Sequence, residues 1–164
     1  MKHILLISDT HSHLDTLLLK HIQAADEVWH AGDIGDLNVT DTIQKTKPLI
    51  AVYGNIDGAE ARKEFKKNAV FMCEGVKVFM THICGQPTNY SKEVKEILIA
   101  EKPNLFICGH SHILKVMYQQ AYQILHMNPG ACGNHGFHQV KTVLRFIIDN
   151  DQIKDLAIIE LGNK

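Results

Sequence analysis

The chain of 164 residues is long enough to bury one substantial core, and its 45% hydrophobic and 21% charged residues are ordinary for a globular protein. The net charge of -1 supplies no overall basic field, so we expect no specific nucleic-acid binding. No apolar run reaches the roughly 20 residues of a membrane-spanning helix, and the start lacks a signal-peptide pattern. These features predict a cytoplasmic protein with no membrane contact, and the lack of a linker predicts a single domain over residues 1–164.

Strand-length apolar runs alternate with amphipathic helical patterns through the first two-thirds of the chain. Predicted strands cover residues 4–7, 28–31, 49–53 and 105–108. Four helices are predicted between the strands. The first is capped by Ser12, the second is capped by Asp36, and the third covers residues 59–67. The fourth begins at Ser91 and ends before Pro103.

Antiparallel hairpins are predicted in the middle and at the end of the chain. Residues 70–73 and 76–81 flank a turn at Glu74-Gly75. Four further strands are predicted near residues 113–119, 122–127, 139–148 and 152–160. Alternating strands and helices followed by hairpins predict an α/β or α+β layered domain.

Cysteine and histidine are the two residue types with possible special chemistry. The four cysteines form no C-x-x-C pair, and we expect reduced, buried thiols that pack as small apolar groups. Histidine is unusually frequent, with 11 residues. The positions of these histidines therefore direct the functional interpretation.

Residues that can bind metal ions follow five predicted strands directly. Because the carboxyl ends of strands in open sheets converge on one crevice, we expect these stretches to meet. Imidazole, carboxylate and amide ligands suit Mn²⁺, Fe²⁺, Co²⁺, Ni²⁺ or Zn²⁺ and argue against a thiolate site. The stretches are Asp9-Thr10-His11, Gly32-Asp33, Gly54-Asn55-Ile56-Asp57, Thr81-His82 and Gly109-His110-Ser111-His112.

Each stretch has an ordinary alternative when it is taken alone. Asp9 can cap a helix, the pair His110 and His112 can lie on a surface, and Gly54-Asn55 can form a simple turn. Five such stretches at five strand ends are improbable by chance. The combination therefore predicts a metal centre.

This ordered set of motifs resembles the signature of the calcineurin-like metallophosphoesterase superfamily over about residues 2–160. The short chain and its hairpin-rich end resemble the small single-domain bacterial and archaeal phosphodiesterase branch. The resemblance implies a four-layer α-β-β-α sandwich, with which the predicted strands are compatible.

The resemblance also implies a binuclear centre in which Asp33 bridges two divalent ions and, with Asn55, serves catalysis. Mn²⁺ is the first expectation, with Ni²⁺, Co²⁺, Fe²⁺, Zn²⁺ and Mg²⁺ as alternatives. A metal-bridging hydroxide would attack the phosphorus of a small phosphate ester in line. The implied ligands are Asp9, His11, Asp33 and His112 for one ion, and Asp33, Asn55, His82 and His110 for the other.

Two departures from the larger family members favour a phosphodiesterase. Ile56 stands where larger relatives carry a histidine that acts on the leaving group, and the small branch commonly lacks that histidine too. Protein phosphatases carry arginines in their Gly-Asp and Gly-Asn motifs, whereas Arg62 and Arg145 are the only arginines here and lie outside the motifs.

Several interpretations stay open at this point. Asn128 either orients a phosphate oxygen or belongs to an ordinary turn, and the loop with His135 and His138 lies either on the surface or against the substrate. Asp57 is a candidate proton donor for the leaving group, although two nearby cations would favour its ionised form. A non-catalytic interaction subunit, like a retromer subunit of the same fold, and a phosphomonoesterase are the alternative functions. No oligomeric state is predicted.

Overall fold

Two five-stranded mixed sheets form the centre of the molecule, which we describe over residues 1–164 in a computed structural model. The first sheet contains β1 Lys2–Ile7, β2 Glu27–His30, β3 Leu49–Ala51, β11 Val140–Asp149 and β12 Gln152–Asn163, in the order β12-β11-β1-β2-β3. The second contains β4 Asn68–Cys73, β5 Val76–Thr81, β8 Leu105–Ile107, β9 Leu114–Gln119 and β10 Ile124–Pro129, in the order β4-β5-β8-β10-β9.

Three adjacent parallel strands in each sheet set the position of the site. In the first sheet β1 and β3 both run parallel to β2, and in the second β5 and β10 both run parallel to β8. The first trio ends at the sheet edge formed by β3 and adjoins antiparallel β11 on its other side, whereas the second trio has an antiparallel strand on each side. Both trios therefore have a defined carboxyl edge, where the chain leaves each strand for a loop.

Three helices cover the outer faces of the sheets: α1 Thr16–Ala24, α2 Asn38–Gln44 and α4 Lys92–Glu101. A fourth, short helix, α3 Ala59–Glu64, lies in the connection from β3 to β4. A core of 15 buried residues from both sheets, including Trp29 and Met80, packs between them. A second core joins α1 and α2 to the first sheet, and a third joins α4 to the second sheet. The predicted α-β-β-α sandwich is thus confirmed.

Two predicted helix starts differ from the observed ones. The cap of α1 is Asp15, whose side chain accepts the N–H of Leu18, whereas Ser12 lies in a left-handed turn and its hydroxyl accepts the N–H of Asp36. Leu37 occupies the cap position of α2, although the Asp36 carboxylate does accept the N–H of Asn38. Ser12 thus pairs with an amide of the loop after β2, whereas Asp36 still pairs with the first amide of α2 from one position earlier, because unpaired amides at these places need partners.

The structure differs from the predicted elements in one helix end and in one short pair of strands. The helix predicted over residues 59–67 ends at Glu64, and the paired strands β6 Gly85–Gln86 and β7 Asn89–Tyr90 were not predicted. The hairpin of β4 and β5 turns at Glu74-Gly75 as predicted. The longest helix has ten residues, and none is long and apolar enough to cross a membrane.

Candidate metal centre

The five predicted stretches meet at the carboxyl edges of the two parallel trios. Asp9, Asp33 and Asn55 follow β1, β2 and β3 of the first sheet, whereas His82 and His110 follow β5 and β8 of the second. His11 and His112 lie two residues beyond Asp9 and His110. Side chains that lie up to about a hundred positions apart in the sequence thus share one place between the sheets.

The first group of candidate ligands consists of Asp9, His11 and His112, whose ligand atoms all lie within 4.8 Å of one another. The Oδ1 atom of Asp9 lies 3.1 Å from Nε2 of His112 and 3.9 Å from Nε2 of His11. Its Oδ2 atom accepts hydrogen bonds from the Ser8 hydroxyl and the His110 amide. One carboxylate oxygen therefore fixes the side chain while the other faces the histidines.

The second group consists of Asp33, His82 and His110, again within 4.8 Å of one another. Asp33 faces both groups, because its Oδ1 atom lies 3.2 Å from Nε2 of His82 and its Oδ2 atom lies 3.6 Å from Nε2 of His11. The implied division of ligands, with Asp33 between the two sets, agrees with this arrangement of side chains.

Three buried polar atoms in these groups have no hydrogen-bond partner: Oδ1 of Asp9, Nε2 of His11 and Nε2 of His82. Buried polar atoms are normally paired, since an unpaired one costs about 1–3 kcal/mol. All three converge on the same space, and imidazole with carboxylate is a donor set for first-row divalent ions. The residues therefore fit a metal centre.

Hydrogen bonds behind two histidines direct their Nε2 atoms into the site. His82 donates from Nδ1 to the carbonyl of Ala31 at 2.8 Å. Nε2 of His138 lies 2.9 Å from the carbonyl of Gly133, and because a carbonyl can only accept, this nitrogen carries the proton of His138. Nδ1 of His138 is then free to accept a hydrogen bond from Nδ1 of His112 at 3.2 Å. In both His82 and His112, the Nε2 atom therefore keeps a free lone pair, as metal ligation requires.

The ionisation of the site follows from its burial and its close charge pairs. Burial opposes the charged form of Asp33, but the neighbouring imidazoles of His82 and His11 and the N–H of Ile56 together lower the pKa of Asp33. Burial also opposes the charged form of His82, but the nearby carboxylates of Asp33 and Asp9 together raise the pKa of His82. Burial lowers the pKa of His11 and of His110. The site thus offers a charged Asp33 and imidazoles that differ in basicity.

Five of the candidate ligands have left-handed backbones, which non-glycine residues rarely adopt. Such a conformation costs on the order of 1 kcal/mol or more for each residue and persists where the surroundings enforce it, often at functional sites. The φ angles are 55° for Asp9, 44° for His11, 55° for Asp33, 68° for His110 and 58° for His112.

Asp57 braces the loops after β2 and β3 rather than facing a substrate. Its carboxylate accepts the N–H groups of Ile34, Gly35 and Gly54 at 2.7–3.1 Å. Gly54 in turn contacts the Asp33 carboxylate so closely that a Cβ atom at this position would collide with it. The possible role of Asp57 as a proton donor is not supported, because both its oxygens are occupied as acceptors. The sequence could not show this brace, since its partners lie on another loop.

Asn55 lies at the rim of the site, in an exposed loop position. With His82 and Arg62 it lines a cavity of about 310 Å³. Its backbone carbonyl accepts a hydrogen bond from Arg62 at 3.4 Å, and the N–H of the next residue, Ile56, donates to Asp33. The loop is therefore fixed beside Asp33 of the second group, while Asn55 itself is exposed, and its role as a metal ligand stays a prediction.

The residues left open by the sequence have distinct positions. The Asn128 amide donates to the carbonyl of Gly109 and the hydroxyl of Ser111, so it holds the turn that carries His110 and does not point to a substrate. The later loop lies against the site: the ring centroids of His135 and His11 are 4.9 Å apart, and His138 contacts His112. The loop therefore contacts two candidate ligands while His135 stays exposed, and its contact with a substrate stays a prediction.

Residues 1–151 match the family model of the calcineurin-like phosphoesterase superfamily domain. The chain belongs to this superfamily. The superfamily is one of phosphoesterases that use divalent metals, and the donor groups described above agree with such metal binding. No curated protein matches the chain.

Solved structures with the same fold cover nearly the whole phosphoesterase domain. An archaeal phosphodiesterase is 23% identical, with a TM-score of 0.72 and coverage of 97% of this chain and 99% of the other. A Streptococcus pneumoniae protein described as a predicted phosphoesterase is 22% identical, with a TM-score of 0.72 and coverage of 97% and 89%. Vps29 of Entamoeba histolytica complexed with Zn²⁺ is 15% identical, with a TM-score of 0.74 and 98% coverage of each chain.

Proposed function

We propose that the protein is a metal-dependent phosphodiesterase that holds two divalent ions between its sheets. Asp9, His11, Asp33 and His112 would hold one ion, and Asp33, Asn55, His82 and His110 the other. The observation that carries the proposal is the convergence of three unpaired buried atoms, because Nε2 of His11 and Nε2 of His82 each lie 3.9 Å from Oδ1 of Asp9. Asp33 lies beside them and presents its two oxygens to different histidine groups. When bound, such ions activate water and neutralise phosphoryl charge.

The residues of the chain contribute positioning and charge. Asp33 presents one carboxylate oxygen to each group, and Asp57 holds the loops that carry Asp33 and Asn55. His138 orients His112, and Ala31 orients His82. Rigid placement of this kind keeps the reacting groups in a productive geometry before substrate arrives.

A diester monoanion is the proposed substrate class because the site lacks a free guanidinium to grip a phosphate dianion. The guanidinium of Arg62 donates to the carbonyls of Asp57 and Asn55 and stacks on Tyr53, with 4.7 Å from its carbon to the ring centroid. Arg145 lines a different cavity together with His3. The similarity to an archaeal phosphodiesterase supports the same choice.

An interaction subunit is the second candidate, because Vps29 structures have the same fold. The Zn²⁺ complex of Vps29 also keeps Zn²⁺ among the candidate metals beside Mn²⁺. The cysteine-free donor set of the two groups suits either ion. Turnover, rather than metal binding, separates the two candidate functions.

The test measures hydrolysis of bis-p-nitrophenyl phosphate and p-nitrophenyl phosphate by purified protein with Mn²⁺, Ni²⁺, Co²⁺, Zn²⁺ or Mg²⁺. We expect faster turnover of the diester, and we expect Asp33→Ala to abolish it and to lower bound metal sharply. Asp151→Ala, an exposed carboxylate in the turn between β11 and β12, is the matched control. Protein that binds two ions but hydrolyses neither ester would favour the interaction subunit.

A further inference from the structure

A third group of potential metal ligands lies outside the proposed binuclear centre. It consists of Cys84, Cys108 and His126, whose ligand atoms lie within 4.8 Å of one another. Their exposed fractions are 5%, 1% and 1%. Cys84 follows His82 by two residues and Cys108 precedes His110 by two, so the group lies directly behind the candidate catalytic histidines.

The imidazole of His126 is already arranged for ligation through Nε2. Its Nδ1 atom lies 2.8 Å from the Tyr90 hydroxyl, and its Nε2 atom lies 3.8 Å from the sulfur of Cys108. Donation from Nδ1 to Tyr90 leaves a lone pair on Nε2 that faces the sulfurs, the usual arrangement of a metal-bound histidine. Burial lowers the pKa of His126 to about 4, so no proton competes for that nitrogen at neutral pH.

The two sulfurs are neighbours and one wall of the group is open. Sγ of Cys84 and Sγ of Cys108 are 2.9 Å apart, and the Asn128 amide lies 3.8 Å from Sγ of Cys108. Tetrahedral zinc with bonds of about 2.3 Å to sulfur separates two thiolates by about 3.7 Å, so an ion would spread the pair by about 0.8 Å. All three residues line a cavity of about 400 Å³, which leaves space for a fourth ligand.

The geometry points to a separate thiolate site for a soft transition ion such as Zn²⁺, bound by Cys84, Cys108 and His126 with a fourth position open to the cavity. The two thiols release their protons when the ion binds. Two thiolates, one neutral imidazole and a divalent ion sum to zero charge, so the complex is compatible with burial. Soft sulfur ligands distinguish this site from the nitrogen and oxygen donors of the binuclear centre.

Such an ion would link the loops after β5 and β8 that carry His82 and His110. It would also place a Lewis acid at the wall of a cavity that reaches His110 and Ser111. The thiols therefore do more than pack as small apolar groups, the role that the sequence predicts for them. This inference does not depend on phosphodiester hydrolysis.

Cobalt tests the site because thiolate-to-Co²⁺ charge transfer absorbs strongly in the near ultraviolet and the binuclear centre has no sulfur ligand. The full chain is reduced, freed of metal with a chelator under anaerobic conditions, and titrated with Co²⁺. We expect this absorption to reach, once all sites are filled, the amplitude of one thiolate-bound Co²⁺ per chain, and to be lost in Cys84→Ser and in Cys108→Ser. It should persist in Cys73→Ser, a buried cysteine outside the group, and in Asp33→Ala.

Elemental analysis after Zn²⁺ loading gives a second readout. We expect three ions per chain in the wild type, about two in Cys108→Ser, and fewer than two in Asp33→Ala, where the thiolate-bound ion remains. The absence of the charge-transfer absorption in reduced wild-type protein would overturn the proposal, whether or not the variants fold. Absorption that survives in both cysteine variants would also overturn it, while leaving the phosphodiesterase proposal untouched.

Discussion

His138 shows how one residue outside the ligand set controls a ligand. It is held by the carbonyl of Gly133 and accepts from His112, so the tautomer of His112 depends on it. Burial lowers the pKa of His138, which favours the neutral form that this chain of hydrogen bonds needs. Its contact with His112 makes it a positioning residue rather than a proton donor.

We expect His138→Ala to weaken one bound ion by about 10–100-fold, the usual cost of losing the hydrogen-bond partner of a metal-bound histidine. Titration of metal-free protein with Mn²⁺ measures both affinities. His135→Ala is the matched control, because His135 shares the loop but donates to no ligand. Equal affinities in wild type and His138→Ala would contradict the positioning role.

The leaving group is the second question at the scale of single residues. Ile56 cannot donate a proton, the Asp57 oxygens are occupied, and His138 is held by Gly133 and His112. A positioned general acid typically contributes about 10²–10⁴-fold. Exposed His135, next to His11, is the remaining titratable side chain of that loop.

We expect aryl diesters to react far faster than alkyl diesters, with a steep dependence of log kcat on the pKa of the leaving group. The reason is that no hydrogen bond fixes a donor at the leaving oxygen. Substituted phenyl diesters measure the slope in wild type and in His135→Ala, which should have equally steep slopes. A flat wild-type slope that steepens in His135→Ala would instead identify His135 as the acid.

Among the secondary-structure elements, α1 depends on a single carboxylate at its start. Asp15 accepts the N–H of Leu18 at 2.7 Å and the ammonium of buried Lys141 on β11 at 2.7 Å. Asp15 thus caps the helix and also connects it to the first sheet. Burial opposes ionisation, but the bonds from Lys141 and Leu18 outweigh it and lower the pKa of Asp15.

We expect Asp15→Ala to lower the free energy of unfolding by about 2 kcal/mol, since the cap and the partner of Lys141 are both lost. Asp15→Asn keeps a capping oxygen and removes the charge, so it should cost less. The pKa of Asp15 is lower in the folded state than in the unfolded state. The carboxylate charge therefore stabilises the folded state fully above about pH 4, and this stabilisation is lost as the pH falls through the folded pKa. Urea unfolding of chelator-treated protein from pH 7 to pH 3 measures this. A difference between wild type and Asp15→Asn that is constant with pH would refute it.

At the scale of the molecule, the metal centre lies between two sheets that contribute separate ligands. Asp9 and Asp33 follow strands of the first sheet, and His82 and His110 follow strands of the second. An ion bound between the groups would therefore link the two sheets. Ligands that bind only the folded state raise its stability, by about 2.7 kcal/mol at 100 times the Kd.

We expect saturating Mn²⁺ to raise Tm by about 5–10 °C relative to chelator-treated protein, as that free energy implies for a chain of this size. Asp33→Ala should lose most of the increase, because its carboxylate faces both groups. Calorimetry of wild type, Asp33→Ala and the control Asp151→Ala measures it. A full increase in Asp33→Ala would show that Asp33 does not join the two groups.

Most of the architecture and the candidate ligands follow from local sequence patterns. Strand-length apolar runs with metal-binding residues at their ends predicted the strands and the convergence of those residues, and the resemblance supplied the sandwich and the division of ligands. Such patterns are readable because the period of a strand and the chemistry of its last residues are local properties. The assignment of each ligand to an ion stays a prediction.

Tertiary structure alone decided which polar residue serves which partner. Ser12 and Asp15 both qualify as helix caps by sequence, yet the amide of Asp36 and the ammonium of Lys141 select their roles. The bond from Ile34 to Asp57 and the grouping of Cys84 with Cys108 and His126 have the same origin. These contacts join residues 18 or more positions apart, and side-chain chemistry does not specify such contacts until the sheets are packed.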